Sequence, residues 1–111
     1  MIKSEAFVSG KDGWQTVGPG VTRKILGYDP ELMLVCAKFE QGAIGPLHHH
    51  PHRQVTYVAS GRFEVEIGGS KQTLETGDSF FVAPDLVHGA VALEPGVLVD
   101  VFAPAREDFL K

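Results

Sequence analysis

The sequence predicts an all-β sandwich or barrel, and three observations carry that prediction. Thirteen glycines and seven prolines punctuate the 111 residues. They leave almost no interval that could hold a helix of about ten residues. The gaps are filled by short runs rich in Val, Phe, Ile and Thr, side chains that suit a pleated surface. These runs recur about every ten residues, the spacing of sandwiches and barrels.

In chain order the candidate strands are VTRKILGY (21–28), LMLVCAKFE (32–40), QVTYVAS (54–60), RFEVEIG (62–68), KQTLE (71–75), SFFVA (79–83), HGAVAL (88–93) and VLVDVF (97–102). RFEVEI alternates most clearly, with Phe63, Val65 and Ile67 on one face and Arg62, Glu64 and Glu66 on the other. Gly68-Gly69 reads as a tight hairpin turn into the next strand. Turns at Asp29-Pro30, Gly77-Asp78, Pro84-Asp85 and Glu94-Pro95-Gly96 separate the others. Only the tail PAREDFLK can form a helical turn, with Pro104 near its start. No repeat, linker or low-complexity segment interrupts the chain, so residues 1–111 read as one domain.

Composition narrows the function classes. A chain 43% hydrophobic and 22% charged has ordinary globular usage, which argues against disorder. A net charge of −4 with scattered basic residues, Arg23-Lys24 being the one adjacent pair, argues against a nucleic-acid-binding face. No stretch approaches the roughly 20 apolar residues of a membrane span, and the N-terminus lacks the apolar core of a signal peptide. The single cysteine, Cys36, sits among apolar neighbours and reads as a structural thiol. A cytoplasmic protein is the expectation.

Four of the five histidines lie within HHHPH, residues 48–52. Successive strand residues face opposite ways, so His48, His50, His52 and Gln54 share parity, while His49 and Arg53 face the other side. Pro51 disturbs the alternation, because it cannot donate to a ladder. On spacing alone, a solvated polar loop competes with a metal site. His88 stands eleven residues after Gly77, beyond an apolar run and the Pro84 turn.

Together these two segments, 42–61 and 77–88, resemble the metal-binding motifs of the cupin superfamily. The first motif runs His-x-His, three or four residues, a glutamate, six residues and a glycine. His48, His50, Gln54 and Gly61 match it, with glutamine where the family has glutamate. Gly42 has the spacing of the leading glycine, and Gly45 lies closer. Gly77, Pro84 and His88 match the second motif, with Pro84 displaced by one place and Ala92 replacing a terminal asparagine. The resemblance implies a single cupin β-barrel, a jelly-roll-like double-stranded β-helix, with His48, His50, Gln54 and His88 as ligands. His52 is the chief rival to His50, and His49 faces away. Such an imidazole-rich site suits one divalent transition metal: Zn, Ni, Mn, Fe or Cu.

Glutamine changes the charge of that site. Three neutral imidazoles and an amide leave a divalent ion its full positive charge, which favours Lewis-acid chemistry on an anionic substrate over oxygen activation. The competing reading bonds Gln54 to a neighbouring strand and leaves the metal three protein ligands.

Asp100 interrupts the apolar run VLVDVF, where a bare carboxylate is costly unless paired or functional. It shares parity with Leu98 and Phe102. The bland alternative pairs Asp100 with a surface lysine and leaves Arg106 in solvent. The segment 97–108 carries the ending D-x-F-x-P-x-R-E-D through Asp100, Phe102, Pro104, Arg106, Glu107 and Asp108. It resembles a narrower group, the small pectin- and alginate-degradation cupins that convert 4,5-unsaturated monouronates to linear keto acids. That resemblance implies active-site roles for Asp100, Phe102 and Arg106, a small anionic sugar-like substrate, and a homodimer. Strands 21–28 and 32–40 are the expected interface. Other cupin classes remain as alternatives: a dioxygenase, a cyclase or epimerase, and a non-catalytic sugar-binding protein.

Overall fold

The computed structural model describes residues 3–111. Ten strands follow one another: β1 (Gln15–Gly18), β2 (Val21–Asp29), β3 (Leu32–Phe39), β4 (Ile44–His48), β5 (Arg53–Ser60), β6 (Arg62–Ile67), β7 (Ser70–Glu75), β8 (Ser79–Val82), β9 (His88–Ala92) and β10 (Gly96–Ala103). Each of the eight expected strands is present, with ends within one residue of the expected ones. β1 and β4 are additional. The expected helical turn in the tail is a short 3₁₀ turn over Glu107–Leu110.

All pairings are antiparallel. One sheet runs in the order β1-β2-β3-β10-β5-β8 and the other β4-β9-β6-β7. The β6–β7 hairpin closes through Ile67 opposite Ser70, leaving two loop residues, Gly68 and Gly69, at φ +56° and +86°. Two positive φ angles define the primed turn whose twist matches a hairpin, which explains the paired glycines. β3 lies between β2 and β10, and β1 pairs with Val21, Thr22 and Arg23 at the start of β2. β1 and β8 stand at the two ends of this sheet.

The two sheets pack face to face. Val21, Phe39, Val58 and Leu98 from the larger sheet meet Phe63, Val65 and Ala92 from the smaller one. Phe39 and Phe63 cross edge to face with centroids 5.3 Å apart, the geometry the ring quadrupoles favour. Gly61 follows β5 at φ +84°, and a Cβ there would stand 2.5 Å from the Pro95 carbonyl oxygen. Only glycine fits both constraints. A second apolar cluster, Met33, Val35, Phe102 and Ala105, is capped by Tyr28, Phe109 and Leu110. Residues of both clusters line the space between them, and that space holds the site.

Candidate metal centre and its cavity

Three separate elements bring the histidines together. His48 ends β4, His50 follows in the loop, and His88 begins β9. His48 and His88 face each other across the β4–β9 pair. Gly89 makes this approach possible, since a Cβ there would lie 2.7 Å from the Gly45 carbonyl oxygen. One nitrogen from each of His48, His50 and His88 lies within 4.8 Å of the others. His50 and His88 are buried and His48 is exposed.

The hydrogen bonds fix which nitrogen each ring offers. Nδ1 of His48 donates to the Pro46 carbonyl at 2.9 Å, Nδ1 of His50 to His52 at 3.1 Å, and Nδ1 of His88 to Leu86 at 2.9 Å. A neutral imidazole has one N–H, so each Nε2 is left with its lone pair. Carbonyl anchoring of this kind is how proteins orient metal-binding imidazoles.

Gln54, buried on β5, joins the cluster through its carbonyl oxygen. Oε1 stands 3.0 Å from Nε2 of His50 and 3.1 Å from Nε2 of His88. Its amide nitrogen turns the other way, donating to Thr56 Oγ1 at 2.9 Å and lying 3.4 Å from Asp100 Oδ1. With neutral imidazoles, lone pairs of ring nitrogen and amide oxygen converge with no proton between them, an arrangement that a bound cation would reconcile. The donor set suits a divalent transition metal. Desolvation favours the same state, pressing His88 down to about 4 and His50 below the ordinary imidazole value.

Glutamine at position 54 now has a physical reason. Asp100 accepts a 2.5 Å hydrogen bond from Thr56 Oγ1 and faces the Gln54 amide nitrogen. A glutamate would turn a second carboxylate oxygen toward Asp100, and like charges that close repel. Desolvation already pushes Asp100 up to about 6, against the Thr56 hydrogen bond and the Arg106 charge. The surface-lysine alternative for Asp100 is thus overturned: its partners lie inside. Thr56 is fully buried and absent from the residues singled out in the sequence. Its parity with Gln54 was the available signal.

His52 lies outside the cluster. It packs beside His50 at 5.4 Å between ring centroids, toward the tail, and shares a surface pocket with Ala105 and Arg106. His49 is exposed and also outside. Phe102 is buried against His50, with centroids 5.7 Å apart. Arg106 is buried rather than in solvent, and its Nε and Nη2 donate to the two Asp108 oxygens at 3.1 and 2.8 Å. His48, Gln54, Asp100, Phe102 and Arg106 all line one cavity of about 740 Å³, within the usual range for small-ligand sites.

Two antiparallel sheets enclosing a three-histidine centre define a cupin. The Cupin domain family matches residues 35–102, and the chain belongs to that family. It is 46% identical over 106 residues to the pectin degradation protein KdgF of Dickeya dadantii, covering 94% of this chain and 96% of that one. An RmlC-like cupin from Shewanella frigidimarina superposes with a TM-score of 0.94 at 46% identity, covering 98% of this chain and 99% of that one. KdgF from a Halomonas species superposes with a TM-score of 0.90 at 45% identity, covering 96% and 99%. No helix of the described residues is long and apolar enough to cross a membrane.

Proposed function

We propose that this protein is a metal-dependent enzyme that opens the ring of 4,5-unsaturated monouronates from pectin and alginate, giving linear 5-keto-4-deoxyuronates. One observation carries the reading: Asp100 lines the cavity while Thr56 and Gln54 tie it to the imidazole cluster. The similarity to KdgF, a pectin degradation protein, supports the same reading.

His48, His50, Gln54 and His88 would hold the ion. A bound divalent cation supplies Lewis-acid stabilisation of negative charge on oxygen. Asp100 acts as the proton carrier. In the metal-free protein burial raises its pKa to about 6, nearer neutrality than an ordinary carboxylate and so better matched to taking up and returning a proton. It takes the proton of the anomeric hydroxyl, and the bond from the anomeric carbon to the ring oxygen breaks. The electron pair leaves with that oxygen as an enolate at C5. Asp100 then delivers its proton to C4, and the C5 ketone forms. The proton gained equals the proton returned, so no oxidant or reductant enters.

Thr56 and the Gln54 amide aim the carboxylate, Phe102 packs against the sugar ring, and Arg106 adds positive charge beside the anionic substrate. Incubating the metal-loaded protein with unsaturated galacturonate tests the reading. Its ultraviolet absorbance should fall faster than in the spontaneous reaction; equal rates with and without protein reject the activity.

A further inference from the structure

The cavity holds a second guanidinium that the foregoing chemistry does not use. Arg23 lies on β2 opposite Ala37, between Val21 opposite Phe39 and Ile25 opposite Val35. Those partners face the interior, so the alternation turns Arg23 inward and its neighbour Lys24 outward. Arg23 lines the same cavity as His48, Asp100 and Arg106. Its guanidinium stacks on the Phe109 ring at 3.6 Å, and Arg106 contacts that ring at 4.1 Å.

The two arginines differ in what they have left to offer. Asp108 already occupies the Nε–Nη2 edge of Arg106, the edge that grips a carboxylate with two parallel bonds. Arg23 makes no ion pair or side-chain hydrogen bond among the described residues, and its Nε is buried with no partner. A buried donor left without an acceptor costs its full desolvation penalty. Burial and the Arg106 charge also press the Arg23 pKa below its ordinary value. An anion in the cavity would relieve both costs.

We propose that Arg23 is the residue that binds the carboxylate of the sugar acid, and so selects uronates over neutral sugars. The Phe109 stack holds the guanidinium plane in place, leaving its edge for the ligand. The proposal deepens the reading above and rests on its substrate class, an anionic sugar.

Calorimetric titration of the metal-loaded protein with galacturonate, which lacks the reacting double bond, and with neutral galactose provides the test. The wild type should prefer galacturonate, and Arg23→Gln should weaken galacturonate binding about ten- to hundredfold. Galactose binding, metal content and melting temperature should stay unchanged or, for melting, rise. Arg23→Lys should fall between, because it keeps the charge and loses the fork. With unsaturated galacturonate, Arg23→Gln should raise KM and leave kcat nearly unaltered.

The proposal fails if the wild type shows no preference for galacturonate. It fails equally if Arg23→Gln binds galacturonate as the wild type does, or loses galactose to the same extent. Should Arg23→Gln not fold, Arg23→Lys decides, and galacturonate affinity equal to the wild type overturns the assignment. A wild type that binds galacturonate through Arg23 but does not turn over the unsaturated sugar would keep Arg23 and remove the ring-opening reaction.

Discussion

β5 and β10 run side by side through the interior, and their inward cross-strand pairs change character along the way. At one end Val58 faces Leu98, both buried; next Thr56 faces Asp100, and then Gln54 faces Phe102. The first pair belongs to the packed apolar cluster with Phe63, while Asp100, Gln54 and Phe102 of the next two line the cavity. One ladder thus serves as core at one end and as site at the other. Apolar pairs stabilise by leaving water, while the polar pair costs desolvation and is retained for what it can bind or transfer. Substitutions at the two ends should therefore have opposite consequences.

The largest effect is expected at the polar end and in activity. Asp100→Asn should lower kcat by about 10²- to 10⁴-fold while metal content, measured by elemental analysis, stays the same. Unchanged turnover would remove Asp100 from the mechanism. At the apolar end, Phe63→Ala should cost about 3–5 kcal/mol in denaturant unfolding, because the ring is fully buried against Phe39.

Asp100→Asn should also stabilise the metal-free fold, the reverse of Phe63→Ala. The folded-state pKa of about 6 lies above the unfolded carboxylate value. Below about pH 4 both states are protonated and the wild type carries no penalty. The penalty grows as pH rises toward 6 and is then constant, on the order of 2–3 kcal/mol. The gain from asparagine should follow that profile in melts across pH, and a gain that grows toward acid would contradict it. Smallest of all, Arg62→Ala removes an ion pair to Glu94 that is half in solvent on both sides. Its cost should stay below about 0.5 kcal/mol, and vanish at high salt.

The apolar end was the more legible in sequence. Period-two runs such as RFEVEI need only local residue order, and every expected strand formed. β4 was not legible because IGPLH contains glycine and proline; an edge strand tolerates both, and β4 is an edge. β1, with the glycine-containing QTVG, is the edge of the larger sheet. At the polar end, His48, His50 and His88 were legible through motif spacing. Thr56 and Arg23 were not, because their importance depends on register between strands: Thr56 matters once Asp100 stands opposite it, and Arg23 once Phe109 folds back from the tail. Cross-strand register is a tertiary fact, and a hydrophobic pattern constrains it only to the nearest face.

Anomalous diffraction from a metal-loaded crystal tests the central claim most directly, that a cation is held by imidazoles from β4, its following loop and β9 together with the Gln54 carbonyl oxygen. The expected result is one peak within bonding distance of Nε2 of His48, His50 and His88 and of Gln54 Oε1, with Asp100 outside bonding distance. An ion seated on His52 or His49, or bound away from His88, would contradict it.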